Sequence, residues 1–270
     1  MRKLTVLLAV MMLMVSGMLF ADNGKATESA APDTTVSKAR IELSETMFDY
    51  GFVPEGHRVA HFFTIKSVGE EPLLISRVRT TCGCTSAPLK NDSLAPGEST
   101  ELKVIFRSSG YRNRKFQKSA IITSNDSNKS SVRVSFKGFT DSTKCATLKA
   151  TPQFVDMGYQ DNFQTENKFL LTNIGQSAIE IKVIDFTKDG IDDVEIDKSK
   201  LKPGKSTTVN ITLVKSLDPK QKLYDSITFE ATDKDGGVER ITVPVQGGGP
   251  KSAGRHKRPS HLPASQQNKK

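Results

Sequence analysis

The stretch Thr80-Thr81-Cys82-Gly83-Cys84-Thr85 holds two of the three cysteines, one residue apart. It follows an apolar run, Leu73, Leu74, Ile75 and Val78, that reads as a buried strand. Gly83 frees the backbone to bend, so that the two sulfurs can face one another. Several chemistries are open to such a pair. One is a small-ring disulfide that pins the loop, as two close thiols in an oxidising compartment tend to form. Another is a thiol-disulfide couple, since a ring this small is strained and strain makes the bond easier to reduce. A third is a soft-metal site for Cu(I) or Zn(II), completed by His57 or His61. A fourth is pairing of one of the two with Cys145. No Ser/His/Asp set, phosphate loop or full metal quartet accompanies the motif, so no enzymatic activity and no cofactor are expected.

Other residues offer weaker chemistry. Cys145 is the odd cysteine and is expected as a free thiol, open to oxidation or intermolecular pairing in an exported protein. His57 and His61 fall at a turn and on a strand, where a spacing of four carries no meaning, and His61 is expected to flank a sheet face. Arg107, Arg112, Arg114, Lys115 and Lys118 surround Gly110-Tyr111 in what reads as a hairpin loop. They are either solvated loop charge or a patch for an anionic partner. Asp189, Asp192, Asp193, Glu195 and Asp197 lack the spacing of a calcium loop and read as a solvated acidic loop.

These residues need elements to position them, and the elements begin after an export signal. Arg2 and Lys3 precede an apolar run over residues 4–20 and a small residue, Ala21, the layout of a secretory signal peptide over residues 1–21. The run is shorter than the ~20 residues of a spanning helix, so no transmembrane span is expected after cleavage. Secreted or periplasmic location follows as the expectation. Residues 22–39 show no apolar periodicity and read as a disordered leader. Of the formal net charge of +9, two units lie in the signal. Six lie from residue 248 onward, in Lys251, Arg255, Lys257, Arg258, Lys269 and Lys270. Residues 22–247 are left with +1, which argues against a nucleic-acid groove. Residues 248–270 form a basic tail with no apolar face.

The chain repeats itself. Phe48-Asp49-Tyr50-Gly51 returns as Val155-Asp156-Met157-Gly158. Residues 65–69 return as Thr172-Asn173-Ile174-Gly175. Leu94-Ala95-Pro96-Gly97 returns as Leu201-Lys202-Pro203-Gly204. The offsets are 107, 106 and 107, the mark of a duplicated domain. Short alternating runs between turn signals give strands near 61–65, 73–79, 102–107, 119–124 and 132–136. The second copy gives them near 168–172, 179–184, 209–214, 226–231 and 240–245. The fold class is all-β: two tandem immunoglobulin-like sandwiches over residues 40–140 and 148–247. Trp is absent and neither copy has cysteines spaced to bridge two sheets. The hinge, residues 141–147, is short enough to hold the sandwiches close, end to end.

The first copy resembles the exported bacterial domains grouped as domain of unknown function 1573. The resemblance rests on Phe48 and Gly51, Ser67 and Gly69, Cys-Gly-Cys-Thr at 82–85, Pro-Gly-Glu at 96–98, and Ser124-Asn125. It implies an Ig-like fold similar to major sperm protein, pilus chaperones and the ASPM/SPD-2/Hydin group, and no agreed activity. The second copy keeps the frame, with Asp185-Phe186-Thr187 near the place of Cys-Gly-Cys, so it cannot share the thiol chemistry. The expected function is an exported, non-enzymatic binding or structural module of the bacterial envelope, with a protein or envelope component as partner. The alternative is a thiol-disulfide or soft-metal-handling protein acting through Cys82 and Cys84.

Overall fold

The computed structural model describes residues 37–251. The residues read as a signal peptide, most of those read as a leader, and those read as a tail beyond Lys251 lie outside them. The first half of the chain forms β1 (Ile41–Leu43), β2 (Met47–Phe52), β3 (Arg58–Ser67), β4 (Leu73–Thr80), β5 (Thr85–Ser86), β6 (Ser93–Leu94), β7 (Ser99–Arg107), β8 (Lys115–Ser124) and β9 (Ser131–Phe139). The second half forms β10 (Leu148–Thr151), β11 (Val155–Asp156), β12 (Glu166–Asn173), β13 (Ile179–Phe186), β14 (Ile191–Ile196), β15 (Lys200–Leu201), β16 (Ser206–Leu213), β17 (Leu223–Asp233) and β18 (Val238–Gly247).

The duplication is visible in the pairing. β1-β3-β7-β5 forms one four-stranded sheet and β10-β12-β16-β14 forms its counterpart. In each copy the opening strand starts on that sheet and crosses to the other. β1 pairs β3 antiparallel and β2 pairs β9 parallel, just as β10 pairs β12 and β11 pairs β18. Alternation drives each strand's burial: Leu102, Val104 and Phe106 of β7 are fully buried while the residues between them reach water. Each copy has its own apolar core. Both are immunoglobulin-like sandwiches.

The arrangement of the copies differs from the end-to-end expectation. Their second sheets fuse through β18 and β2, which pair in parallel at Ile241 and Phe52. The result is one ten-stranded sheet running through both sandwiches. Phe52 is buried in the second core and Phe139 packs against it, so two aromatic residues of the first copy complete its neighbour. A short hinge does not dictate this geometry; the two aromatic side chains do, by removing their surface from water.

Three local expectations also change. Of the residues read as an acidic loop, Asp192, Asp193 and Glu195 lie on β14, with Val194 and Ile196 packed inward and Asp193 and Glu195 outward, while Asp189 and Asp197 flank it. The leader is ordered from Ser37, because Ala39 is fully buried. At the other end Gly248 and Gly249 are still held, by bonds from their N–H groups to the carbonyls of Gly158 and Pro219.

Candidate functional site: a disulfide-closed loop beside a tyrosine

β4 delivers the Cys-Gly-Cys stretch to one end of the first sandwich, and β5 takes it back onto β7. Thr81 anchors the loop on β8 by donating its backbone N–H to the Ser119 carbonyl at 3.0 Å. The Arg107 N–H donates to the Cys84 carbonyl at 2.9 Å. The Cys82 and Cys84 sulfurs lie in bonding contact, 2.03 Å apart. Gly83 is exposed, lacks a positive φ, and beyond its two neighbours a Cβ there would meet nothing within 4 Å. The steric role expected of this glycine therefore has no counterpart in the surroundings of the loop.

Tyr111 ties the second sequence feature to the first. Its hydroxyl lies 3.4 Å from Cys84 Sγ, within reach of a hydrogen bond to sulfur. The ring stands edge-on to Phe106 at 5.3 Å, and Lys118 Nζ sits 5.3 Å from its centroid. The loop carrying Tyr111 is itself fixed. Ser108 Oγ donates to the Pro54 carbonyl at 2.7 Å, and Thr140 Oγ1 donates to the Tyr111 carbonyl. Among the described residues, Arg107, Arg112, Arg114, Lys115 and Lys118 have no acidic group within 4.0 Å. Their surroundings differ. Lys115 lines a cleft at the joint between the sandwiches with Gly51, Lys137 and Arg240. Arg107 and Lys118 are tied to the disulfide loop and its tyrosine, and Arg112 and Arg114 are exposed on the intervening loop.

The histidines are not assembled with the cysteines. His57 rests 4.3 Å from the Phe154 ring, and burial lowers its pKa below the usual value. His61 does not flank a sheet face. It points inward, 4% exposed, stacked on Phe48 at 3.7 Å. Its Nδ1 lies 2.7 Å from Asp185 Oδ2 and its Nε2 lies 2.7 Å from Glu45 Oε1. Both nitrogens face carboxylate oxygens, and neither is turned toward the cysteines. No group of three or more metal-binding side chains converges among the described residues. Cys145 is free and half-buried in a hinge cavity of about 290 Å³, lined by Phe52, Leu148, Ile174 and Ile241. Burial, with Glu239 and Asp141 nearby, pushes its thiol up to about 12. It is therefore a poor nucleophile, unlike the reactive thiol expected.

The sequence singles out His61, Asp185 and Asp189 but does not bring them to a joint between the sandwiches. A bulge between Val183 and Asp185 re-aims β13 so that Asp185 reaches His61. Lys103 of β7 crosses to the second copy, with Nζ 2.7 Å from Asp189 Oδ2 and 2.6 Å from Asp225 Oδ1. Burial works to lower the Lys103 pKa, but the two carboxylates outweigh it and hold it above its ordinary value. Burial pushes Asp225 up to about 6 while Lys103 pulls it back, and its second oxygen has no hydrogen-bond partner. Ser226 Oγ donates to the Ala60 carbonyl at 2.7 Å and accepts the Ala60 N–H at 3.0 Å. By the repeat offset, Asp189 occupies the second copy's counterpart of the Cys-Gly-Cys loop. The loop that carries a disulfide in one copy carries a docking carboxylate in the other. No motif announces Lys103, which sits among alternating polar positions of an ordinary strand.

No curated protein matches the sequence. Among solved structures, the chain is similar to a protein of unknown function from Porphyromonas gingivalis W83, with 16% identity over 76% of this chain and 99% of that one, at a TM-score of 0.29. It is similar to the E. coli chaperone DraB, with 11% identity over 76% of this chain and 95% of that one, at a TM-score of 0.30. A PapD-like domain of human CEP192 gives 9% identity over 43% of this chain and 94% of that one, at a TM-score of 0.32. The first sandwich, residues 41–140, matches the model of the family described as protein of unknown function, DUF1573.

Proposed function

We propose that the protein is an exported, non-enzymatic binding module of the bacterial envelope, in which the disulfide-closed end of the first sandwich meets an anionic envelope component. The contact between Cys84 Sγ and the Tyr111 hydroxyl carries this reading. It fastens two loops into one preformed surface flanked by Arg107 and Lys118, cations without acidic partners among the described residues. A surface fixed before binding loses less entropy on association. Unpaired cations beside it attract an anionic partner and make its capture salt-dependent. Export rests on the signal-like residues 1–21.

The test is co-sedimentation of purified protein with envelope fragments, comparing wild type with R107E/K118E. Wild type is expected in the pellet at low salt and released at high salt, with the variant left in the supernatant. Equal pelleting of both, or neither, removes the reading. Turnover of thiol, glycan or peptide substrates at enzyme-like rates would remove its non-enzymatic part.

A second reading, thiol-disulfide exchange, is favoured by the same hydroxyl, which would donate to a thiolate on Cys84 once the bond is opened. Reduction of a test disulfide at the same rate by wild type and by C82S/C84S excludes it.

A further inference from the structure

Among the described strands with an unpaired edge, β4 and β14 carry opposite charges. β4 pairs β8 along one side, but on the other it meets β6 only at Leu73 and Leu74. Residues 76–80 are left without a neighbouring strand. Arg77 and Arg79 lie on this segment, opposite Thr123 and Ile121 of β8, and both are exposed. β14 ends its own sheet, paired to β16 alone. Its exposed Asp193 and Glu195 lie opposite Thr212 and Asn210. Among the described residues none of these four side chains has an oppositely charged partner within 4.0 Å.

We propose that the free edge of β4 in one copy of the protein takes β14 of a second copy, extending the ten-stranded sheet by strand addition. An open edge leaves rows of backbone N–H and C=O groups ready to pair with another strand. Charge decides which strand can join. β4 against β4 sets arginine opposite arginine, and β14 against β14 sets carboxylate opposite carboxylate; like charges directly opposite are destabilising. β4 against β14 sets opposite charges together. The spacing agrees as well: Arg77 to Arg79 and Asp193 to Glu195 are both two-residue steps on one strand face, about 6.8 Å each at the rise of an extended strand. The segments also match in length, five residues on β4 and the six of β14. Each copy carries both edges on different sandwiches, so the contact is heterologous and leaves one edge of each kind free to continue. This inference stands apart from the disulfide loop and holds or fails independently of the envelope-binding reading.

Sedimentation velocity over a concentration series tests it, with circular dichroism confirming that each variant is folded. Wild type is expected to sediment faster as concentration rises at about 0.1 M salt, where the Debye length is about 10 Å, and to lose this in about 1 M salt. R77E/R79E and D193K/E195K are each expected to stay monomeric alone, because both of their edges then carry one sign. Mixing the two variants restores complementary edges and is expected to restore association. A wild-type coefficient independent of concentration overturns the proposal. So does self-association by either variant alone, or a mixture that stays monomeric.

Discussion

Nδ1 of His61 in the first sandwich lies 2.7 Å from Oδ2 of Asp185 in the second, which makes a buried histidine part of the joint. Removing Asp185 leaves Nδ1 of His61 without this hydrogen bond, and such bonds to charged groups contribute about 1.5–3 kcal/mol. D185A is therefore expected to destabilise the protein by roughly 2 kcal/mol in chemical denaturation. H61A/D185A should cost clearly less than the sum of the single variants, because both lose the same contact. Additive costs would mean that the two side chains do not interact in solution.

Asp225 gives the joint a defined response to pH. Its folded-state pKa, raised to about 6, exceeds the ordinary 3.8, so the folded chain binds this proton more readily than the unfolded one. Stability from this group is therefore gained as pH falls through about 6 and is complete below about 4, a change of about 3 kcal/mol for a shift of this size. In D225N the contribution is absent. The melting temperature of wild type is expected to rise relative to D225N between pH 8 and pH 4.5. A relative fall would show that the attraction of Lys103, rather than burial, governs this carboxylate.

Gly51 marks a close backbone approach between the copies. Its φ is +62°, and a Cβ there would come within 1.9 Å of the Arg240 carbonyl oxygen. G51A is expected to wedge the sandwiches apart at a cost of about 1–3 kcal/mol from overpacking, with strain from the left-handed backbone in addition. Thermal unfolding checks the loss, and small-angle scattering checks the opening. Unchanged values in both would refute the close contact.

The cysteines make a chemical prediction. Peptide mapping without reduction should return Cys82 and Cys84 joined, with Cys145 alkylated after unfolding. In the native protein at pH 8, iodoacetamide should react slowly with Cys145, whose thiol is held protonated by burial. C82S/C84S should cost no more than about 1.5 kcal/mol, because loop-closure entropy is small for so short a ring. A crosslinked peptide containing Cys145 would overturn the pairing.

Much of the architecture was legible in the chain. Leu102, Val104 and Phe106 alternate, and the same turn residues return after about one domain length, so strands and duplication could be read without coordinates. β14 is hard to read from sequence because Asp192, Asp193 and Glu195 suggest solvent, while Ile191, Val194 and Ile196 mark its inward face. The basic cluster around Tyr111 was visible as composition. Its division between the disulfide loop and the joint was not, since that depends on where Lys115 and Lys118 end up on β8.

By itself the sequence determined the two sandwiches, the short-range pairing open to Cys82 and Cys84, and the near-neutral charge of residues 22–247. These are set by alternation, spacing and composition over a few residues, which act wherever the chain goes. Only the tertiary structure decided that the copies share a sheet, that Lys103 finds Asp189 and Asp225, and that His61 finds Asp185. Those partners are 86, 122 and 124 residues apart. Each is an ordinary polar residue on its own strand, and its role appears only when the fold brings its partners within reach.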